Sequence, residues 1–313
     1  MIKELNNLGK AILRTIIYYD IFDYPLTVVE LWQWLWKYKC KLSELVFCLE
    51  NSEILKRYIE TKNGFYFLKG KKELLNIRKI RRDYSVQKWK IALRATKILR
   101  TIPFLKTVML CNSIAYFNTQ ENSDIDFFII VKDKYLWLTR FLITLVLHIF
   151  KMRRHGNKIN NRICLSFYIT DDNLNLENLT YERDIHFYYW LFHFVPIFDI
   201  QTYEFFLKEN KWLQNYIPRV QAWETIDNWK VDDNFFTKNY RKFWEKILDS
   251  FLGKFLNLIL KKIQLFKMSK NKFSKSQENN TDVVIRDNIL KFHEEDNRKK
   301  IRKTFLERII KYE

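Results

Sequence analysis

The sequence predicts an α+β protein in which a mixed β-sheet is flanked by helices, with a helical module before it and a helical region after it. Three observations predict this fold class. Apolar runs of strand length occur in the middle of the chain, at 104–111, 124–131 and 163–170. Segments with helical periodicity lie between and around these runs. The chain has 313 residues, 48% of them hydrophobic, and can bury a sizeable core in two or three domains.

Residues 1–70 are predicted to form a winged helix-turn-helix module. Thr27 and Glu30 have the spacing of a capping box, which opens a helix, and a further helix is expected at about 43–51. An Asn-Gly pair between two apolar runs is the strongest short signal for a hairpin. Helices followed by a hairpin are the order of a winged helix. The predicted hairpin comprises 54–60, the turn Thr61-Lys62-Asn63-Gly64 and 65–68.

The third helix of this module has an unfavourable composition for nucleic-acid binding. It carries Glu44 and Glu50 and lacks Lys and Arg, so it would meet a phosphate-lined groove with negative charge. We therefore favour protein contact or scaffolding as the role of the module. If the module does contact nucleic acid, the better-placed residues are the basic ones around the hairpin, Lys56, Arg57, Lys62 and Lys69.

Helical periodicity assigns the segments that follow. Residues 71–102 are predicted to form a basic connecting helix, whose charges are either a solvated face or a surface that binds an acceptor substrate. Residues 103–236 are predicted to form the core of the protein. This core includes an apolar helix at about 135–151 and an aromatic-rich helical extension at 181–215.

The C-terminal region, residues 237–313, is predicted to be basic and helical. Apolar residues recur with helical spacing over 243–259, which predicts one amphipathic helix. We expect its apolar side to pack on the rest of the protein, and a basic helix on a membrane surface is the alternative. A polar linker is predicted near 269–281 and a last helix at about 287–312.

Positive charge is concentrated at both ends of the chain. The segment 1–104 has 21 basic and 10 acidic residues, and 237–313 has 20 and 10, whereas 105–236 has 14 and 16. The basic flanks indicate a polyanionic partner, for which nucleic acid is the leading candidate and a membrane is not favoured. The alternative is a proteome rich in Lys and Asn, in which surfaces are simply basic.

No segment of the sequence predicts export or a membrane span. Met1–Lys10 is polar, and the most apolar stretch, Tyr135–Phe150, contains Arg140 and is too short to span a bilayer. The four cysteines lie in apolar surroundings without metal-ligand spacing, which is typical of reduced, buried thiols. We therefore expect a cytoplasmic protein, and its oligomeric state is open.

Two aspartates mark the candidate site. Asp124 and Asp126 stand at the start of the apolar run that ends at Val131. Alternate side chains of a strand share a face, so both carboxylates are expected to point the same way. Two anions held together repel each other and resist desolvation, so the pair is predicted to bind a cation.

The surroundings of these aspartates resemble the polymerase-beta-like nucleotidyltransferase superfamily. In that superfamily a strand leads through Gly-Ser or Gly-Gly into a short helix, and an Asp-x-Asp follows on the next strand. Here Asn112 and Ser113 follow the first predicted core strand, and a short helix is expected at about 113–117. Asp124-Ile125-Asp126 then enters the next predicted strand.

The resemblance covers about 103–172, and a bacterial branch of the superfamily with an N-terminal winged helix is the finer match. It implies a Mg²⁺-dependent nucleotidyltransferase that transfers a nucleotidyl group from a nucleoside triphosphate to an unknown acceptor, which is a nucleic acid, a small molecule or a protein. It also implies that Asp124 and Asp126 are the catalytic, metal-binding residues. Asn112 and Ser113 would bind the nucleotide.

Two departures from the superfamily pattern leave a second function open. Asn112 stands where the superfamily has glycine, although asparagine tolerates the left-handed backbone conformation. The third carboxylate, often the general base, is missing from the predicted strand at 163–169, and only Asp133, Asp171 and Asp172 lie near strand ends. The alternative is therefore a catalytically inactive protein of the same fold that binds nucleotide or nucleic acid.

Overall fold

The computed structural model describes residues 5–219, 229–270, 282–292 and 296–312. These residues form a mixed α+β structure with a three-stranded and a six-stranded sheet, which confirms the predicted fold class. The linker predicted near 269–281 lies, beyond its first two residues, outside the described residues.

The N-terminal module contains the small sheet, with strand order β1-β3-β2, and two of its sequence signals are confirmed. Thr27 accepts a hydrogen bond from the Glu30 backbone N–H (3.3 Å), and the Thr27 N–H donates to the Glu30 carboxylate (2.8 Å). These two bonds are the predicted capping box. Asn63 and Gly64 have φ of 54° and 78°, as a tight hairpin turn requires.

The first hairpin strand is shorter than the predicted 54–60. The Ser52 side chain accepts a hydrogen bond from the Leu55 N–H and caps an additional helix, so the chain is helical up to Tyr58. The elements of the module are α1 (Asn7–Asp20), β1 (Leu26–Thr27), α2 (Val28–Gln33), α3 (Leu42–Asn51), α4 (Glu53–Tyr58), β2 (Ile59–Lys62) and β3 (Phe65–Leu68).

The predicted connecting helix is α5 (Leu74–Leu99), and its charges are partly used inside the protein. Arg78 pairs with Glu30 at 2.7 Å, and Arg81 pairs with Asp23 at 3.1 Å. Both ion pairs fasten α5 to the N-terminal module. These two arginines are therefore not part of a solvated or acceptor-binding face.

The six-stranded sheet is mixed and has the order β7-β4-β5-β6-β9-β8. The neighbours β5 and β6 are parallel, and the other pairs are antiparallel. All three strands predicted in the middle of the chain are present in it. The strands are β4 (Leu105–Leu110), β5 (Ile125–Val131), β6 (Ile163–Thr170), β7 (Val195–Asp199), β8 (Val283–Arg286) and β9 (Ile289–Phe292).

The remaining three strands of this sheet contradict the sequence-based prediction. Strand β7 lies within 181–215, which is predicted as helical, and Pro196 is tolerated there because β7 is an edge strand. Strands β8 and β9 lie before the last helix, which begins at Arg298 rather than at about 287. Both segments are rich in β-branched and aromatic residues, which favour strands.

Helices cover both faces of the six-stranded sheet. Phe128 and Ile130 of β5 pack in a core with the N-terminal module and α7, whereas Phe127 and Ile129 pack with α5 and α6. The strand that follows the aspartates is therefore buried on both sides, as predicted. The helices are α6 (Leu136–Ile149), α7 (Ile185–Phe192), α8 (Tyr203–Glu209), α9 (Phe235–Leu248), α10 (Phe251–Ser269) and α11 (Arg298–Tyr312).

The single amphipathic helix predicted at 243–259 is two helices, α9 and α10, which meet at Asp249. The Asp249 carboxylate accepts hydrogen bonds from Lys132 Nζ (2.7 Å) and Tyr135 Oη (2.6 Å), which fixes the break. Apolar residues of both helices are exposed, so the expectation that this side packs on the rest of the protein is wrong. Among the described helices, none is both long and apolar enough to cross a membrane.

Candidate functional site

A cavity of about 1030 Å³ opens beside the first residues of β5 and β6. Its walls come from α1, the turn after β4, β6, α6, α7 and α11. Three of the four candidate residues, Asn112, Ser113 and Asp126, line it. The fourth, Asp124, has a carboxylate oxygen within 4.8 Å of one on Asp126. The structure therefore brings the predicted site residues together.

A cysteine joins the two aspartates. One ligand atom each from Asp124, Asp126 and Cys164 lies within 4.8 Å of the others, and all three residues are half-buried. Cys164 belongs to β6, where it is the parallel-pairing partner of Asp126. The cluster thus offers a metal ion two carboxylates and one sulfur atom.

Asp126 is strongly perturbed by its surroundings. Burial raises the pKa of Asp126 to about 7, and the neighbouring Asp124 carboxylate contributes to the rise. Side-chain hydrogen bonds with Asn112 and Cys164 favour the ionised form and offset part of the shift. Burial also raises the pKa of the Cys164 thiol, with both aspartates contributing, so the thiol is protonated at neutral pH.

Arg154 supplies a counter-ion to one of the two aspartates. Its guanidinium donates to Asp124 Oδ2 at 2.5 Å and to the Cys164 sulfur at 3.8 Å. The Arg154 backbone is fixed by an N–H bond to the carbonyl of Ile163 in β6 (2.9 Å). Arg154 therefore balances the charge of Asp124, whereas Asp126 forms no ion pair with any described residue.

Asn112 adopts the backbone conformation predicted for it. Its φ of 59° lies in the left-handed region, where a glycine would stand at no steric cost. Its side chain is turned towards Asp126, with which it forms a hydrogen bond. The helix expected at about 113–117 is a single 3-10 turn over Asn112–Ile114, and Ser113 faces the cavity from it.

Lys88 of α5 positions the loop that carries Asp124. It is 1% exposed, and its ammonium group donates to the carbonyls of Glu121 and Ser123 at 2.8 and 2.9 Å. It also donates to the side-chain oxygens of two asparagines, Asn160 and Asn161, in the turn before β6. A buried cation with four acceptors therefore ties the two loops on either side of the aspartates to α5.

The three acidic residues considered as replacements for the missing carboxylate lie at the wrong end of the sheet. The Asp171 N–H donates to the carbonyl of Val131, the last residue of β5, and the Asp133 N–H donates to the Asp171 carboxylate. Asp172 accepts a hydrogen bond from Thr170. Seven strand residues at about 3.3 Å each separate this end from the cavity by roughly 20 Å. None of the three reaches the site.

The cavity wall carries positive charge. Basic side chains of Arg140, Arg153, Arg154, Lys291 and Arg298 line it. The last two form ion pairs with carboxylates at 2.7–2.9 Å. The Arg140 guanidinium donates to Gln264 (2.5 Å) and lies over the Phe292 ring, whereas Arg153 forms no ion pair within the described ranges. The wall therefore has capacity to bind an anion.

Two histidines, His186, which is half-buried, and His193, which is buried, join the N-terminal module to this cavity. Tyr18 of α1 is hydrogen-bonded to His186 (2.8 Å), and Tyr19 is hydrogen-bonded to His193 (2.7 Å). Burial lowers the pKa of His186 to about 4 and that of His193 to about 3, so both rings are neutral at pH 7. They act as hydrogen-bonding wall residues without charge.

Sequence reasoning missed three residues of the site. Arg154 lies in a basic loop with no motif, and its contact with Asp124 depends on the bend that returns the chain to β6. Cys164 gave no signal because its spacing from the aspartates is long, and only the parallel pairing places it opposite Asp126. Lys88 is one of many basic residues on α5, and no periodicity distinguished it as buried.

The residues present fit a hard divalent cation such as Mg²⁺. Carboxylate oxygens are its preferred ligands, and two of them leave coordination positions for water and phosphate. A protonated thiol is a poor ligand for Mg²⁺, so Cys164 would stand beside the ion rather than bind it.

No family model matches the chain, and neither a curated protein nor a solved structure matches it. The functional conclusion therefore depends on the geometry of this site and on the resemblance of its motif.

Proposed function

We propose that the protein is a Mg²⁺-dependent nucleotidyltransferase that uses a nucleoside triphosphate. The observation that carries this proposal is the position of the carboxylate pair, Asp124 and Asp126, at the edge of a cavity whose wall is lined with arginines. Nucleotidyl transfer requires both features, because it displaces pyrophosphate, a leaving group with several negative charges. The acceptor class stays open between nucleic acid, a small molecule and a protein.

Each part of the site has a role in this proposal. Asp124 and Asp126 would hold Mg²⁺, which would supply neutralisation of phosphate charge and activation of the attacking oxygen. Arg153 lines the cavity and would contact the phosphate oxygens, which guanidinium groups bind with paired hydrogen bonds. Ser113 offers a hydroxyl group, and Asn112 holds the Asp126 carboxylate in place.

A second candidate function is nucleotide binding without transfer. Cys164 is the residue of β6 that faces the two aspartates. Its thiol is protonated at neutral pH, so it does not supply the general base that a third carboxylate would supply. Without a general base the chemical step would be slower by roughly 10²–10⁴-fold. The protein would then bind nucleotide through the same cavity and release it unchanged.

The first experiment is a thermal-shift titration with the four ribonucleoside triphosphates, with and without Mg²⁺. A ligand that binds only the folded state raises the unfolding temperature, so a metal-dependent rise is expected for at least one nucleotide. The rise should vanish in Asp124→Asn/Asp126→Asn and persist in Asp83→Asn, which removes an exposed carboxylate on α5. If no nucleotide shifts the wild type, or the shift survives in the double variant, the proposal is wrong.

A second experiment separates transfer from binding. The protein is incubated with the shifting nucleotide, labelled at the α-phosphate, and with candidate acceptors from the three classes, and both labelled product and pyrophosphate are measured. Labelled product that is lost in Asp126→Asn supports the transferase. A nucleotide that shifts the unfolding temperature but never yields product or pyrophosphate supports the binding protein.

A further inference from the structure

Helices α9 and α10 are attached to the protein by polar groups and a few partly buried apolar residues, and they expose the rest of their apolar side. On α10 the fully buried positions are Gly253, Asn257 and Gln264, which lie on one face of the helix. Asn257 Oδ1 accepts a hydrogen bond from the Leu138 N–H (2.9 Å), and Gln264 Nε2 donates to the Trp137 carbonyl (2.8 Å). The contact of α10 with the rest of the protein thus combines these amide groups with a few partly buried apolar side chains, Leu260, Leu265 and Met268.

The attachment of α9 has the same character. Arg241 is the buried residue of this helix, and it donates to the Asp233 carboxylate and to the carbonyl of Arg100 (2.9 Å). Glu245, one turn later, accepts a hydrogen bond from the Phe104 N–H (2.9 Å). The fully buried contact of α9 is thus charged and hydrogen-bonding, and Leu248 at the end of the helix adds a partly buried apolar contact. Ordinary amphipathic packing would bury the whole apolar side instead.

The outward side of the two helices is strongly apolar, and we call it the α9–α10 apolar face. Phe236 is 79% exposed and Phe251 is 84% exposed, and the rings of Phe251 and Phe255 stack with centroids 6.3 Å apart. Scattered exposed apolar residues are ordinary, but a continuous row of aromatic and aliphatic side chains on adjacent helices indicates a binding surface. The row includes Phe236, Phe243, Phe251, Phe255, Leu258 and Phe266.

Lysines surround this face. Residues 235–270 contain nine basic and two acidic residues. At 100° per residue, Lys254 and Lys267 fall on opposite borders of the apolar row of α10, and Lys262 lies within it. All three are exposed, and none forms an ion pair with a described residue. The partner that binds this face is therefore expected to have an apolar interior and a negatively charged surface.

We propose that the α9–α10 apolar face binds the surface of an anionic lipid bilayer. Helices that lie in the membrane interface have this composition, with aromatic and aliphatic residues on one side and lysines along its borders. The alternative occupant is the same face of a second copy of the chain. Such a dimer would bring the lysines of both copies close together, and their like charges would repel. The proposal is independent of the nucleotide site. It adopts the alternative that the sequence left open for this region, a basic helix on a membrane surface, over the favoured expectation that the apolar side packs on the protein.

The test is flotation of the full-length chain with vesicles. Vesicles of phosphatidylcholine and phosphatidylglycerol in equal parts are expected to carry the protein upwards, and vesicles of phosphatidylcholine alone are expected to carry much less. Phe251→Ser/Phe255→Ser should lower the partition coefficient about tenfold or more, because two large side chains no longer leave water. The matched control is Phe47→Ser, which removes an exposed ring from α3.

A charge variant tests the lipid headgroups separately. Lys254→Glu/Lys262→Glu/Lys267→Glu should lower binding to anionic vesicles by about tenfold or more. Three Lys→Glu changes outside the α9–α10 apolar face should leave binding nearly unchanged. The control, with the same net charge, reverses the exposed residues Lys90, Lys97 and Lys299.

Circular dichroism and the unfolding temperature check that each variant is folded. If Phe251→Ser/Phe255→Ser does not fold, Leu258→Ser/Phe266→Ser on the same face replaces it. The proposal is overturned if the wild type does not float with anionic vesicles, or if both face variants float as well as the wild type. It is also overturned if wild-type sedimentation shows a dimer that the face variant abolishes while vesicles recover neither protein.

Discussion

We expect Asp126→Asn to stabilise the metal-free protein at neutral and alkaline pH. Asp126 is half-buried beside a second carboxylate, and burial raises its pKa to about 7. Keeping this side chain ionised in the folded state therefore costs free energy, which an uncharged asparagine of the same shape does not require. A gain in stability on removing a functional group is expected where a site is built for a ligand that is missing.

The sign and the size of the effect follow from linkage. Between the unfolded pKa of about 3.8 and the folded pKa of about 7, the folded state binds one more proton than the unfolded state. The free energy of unfolding of the wild type therefore decreases as the pH rises through this window. A shift of three units corresponds to about 4 kcal/mol at most. We expect Asp126→Asn to be more stable by about 2–4 kcal/mol at pH 8, a rise in unfolding temperature of about 5 °C, and equal to the wild type at pH 4.

The assay is urea unfolding of both proteins in EDTA at half-unit steps from pH 4 to pH 8.5. The difference in stability between variant and wild type isolates Asp126 from the other titrating groups, including His186 and His193. Asp83→Asn removes an equal charge from an exposed position and serves as the control. A difference that is independent of pH, or a variant less stable than the wild type at pH 8, would refute the reasoning. Saturating Mg²⁺ should reduce the difference if the ion binds at Asp126.

Three further changes test the framework of the site and of the exposed helices, each measured by urea unfolding. Lys88→Met leaves four acceptors without their buried cation and should cost about 3 kcal/mol, whereas the exposed Lys90→Met should change stability by less than about 0.5 kcal/mol. Gly253→Ala would place a Cβ 1.7 Å from the Leu248 carbonyl oxygen and should cost about 3 kcal/mol or speed proteolysis between α9 and α10; a silent substitution would contradict this geometry. Asn112→Gly should be nearly neutral and Asn112→Ala should cost about 1–2 kcal/mol, because only alanine is strained at φ 59°; equal effects would argue against a left-handed backbone there.

The parts of the fold that depend on local pattern could be predicted from the sequence. The alternation that begins at Asp124 and the buried run behind it predict β5. The capping box predicts the start of α2, and the Asn-Gly pair predicts the hairpin turn between β2 and β3. Strand β7 could not be separated from a helix, because a five-residue run of apolar residues has no period long enough to decide. Its strand character comes from pairing with β4, which is 90 residues away along the chain.

The orientation of α9 and α10 shows a second limit of sequence patterns. Periodicity over 243–259 predicts correctly that apolar residues share a side, but it does not state which side faces the protein. That choice depends on partners distant in sequence: Leu138 and Trp137 offer backbone groups that Asn257 and Gln264 can satisfy. The periodicity of one helix therefore predicts which residues share a side, whereas burial of that side also depends on the surface that the helix meets.

The cavity has consequences for the role of the N-terminal module. Tyr18 and Tyr19 of α1 line it and are hydrogen-bonded to His186 of α7 and to His193 at the end of that helix, so the module forms one wall of the candidate site. A module that moved independently to present an acceptor would break these two hydrogen bonds, one of them buried, and expose aromatic rings that share a core with α7. The third helix of the module is poor in basic residues, and scaffolding does not require it to bind nucleic acid. Scaffolding of the candidate site is therefore the role that the packing supports, and a nucleic-acid acceptor would have to approach from the side of the cavity that α1 leaves open.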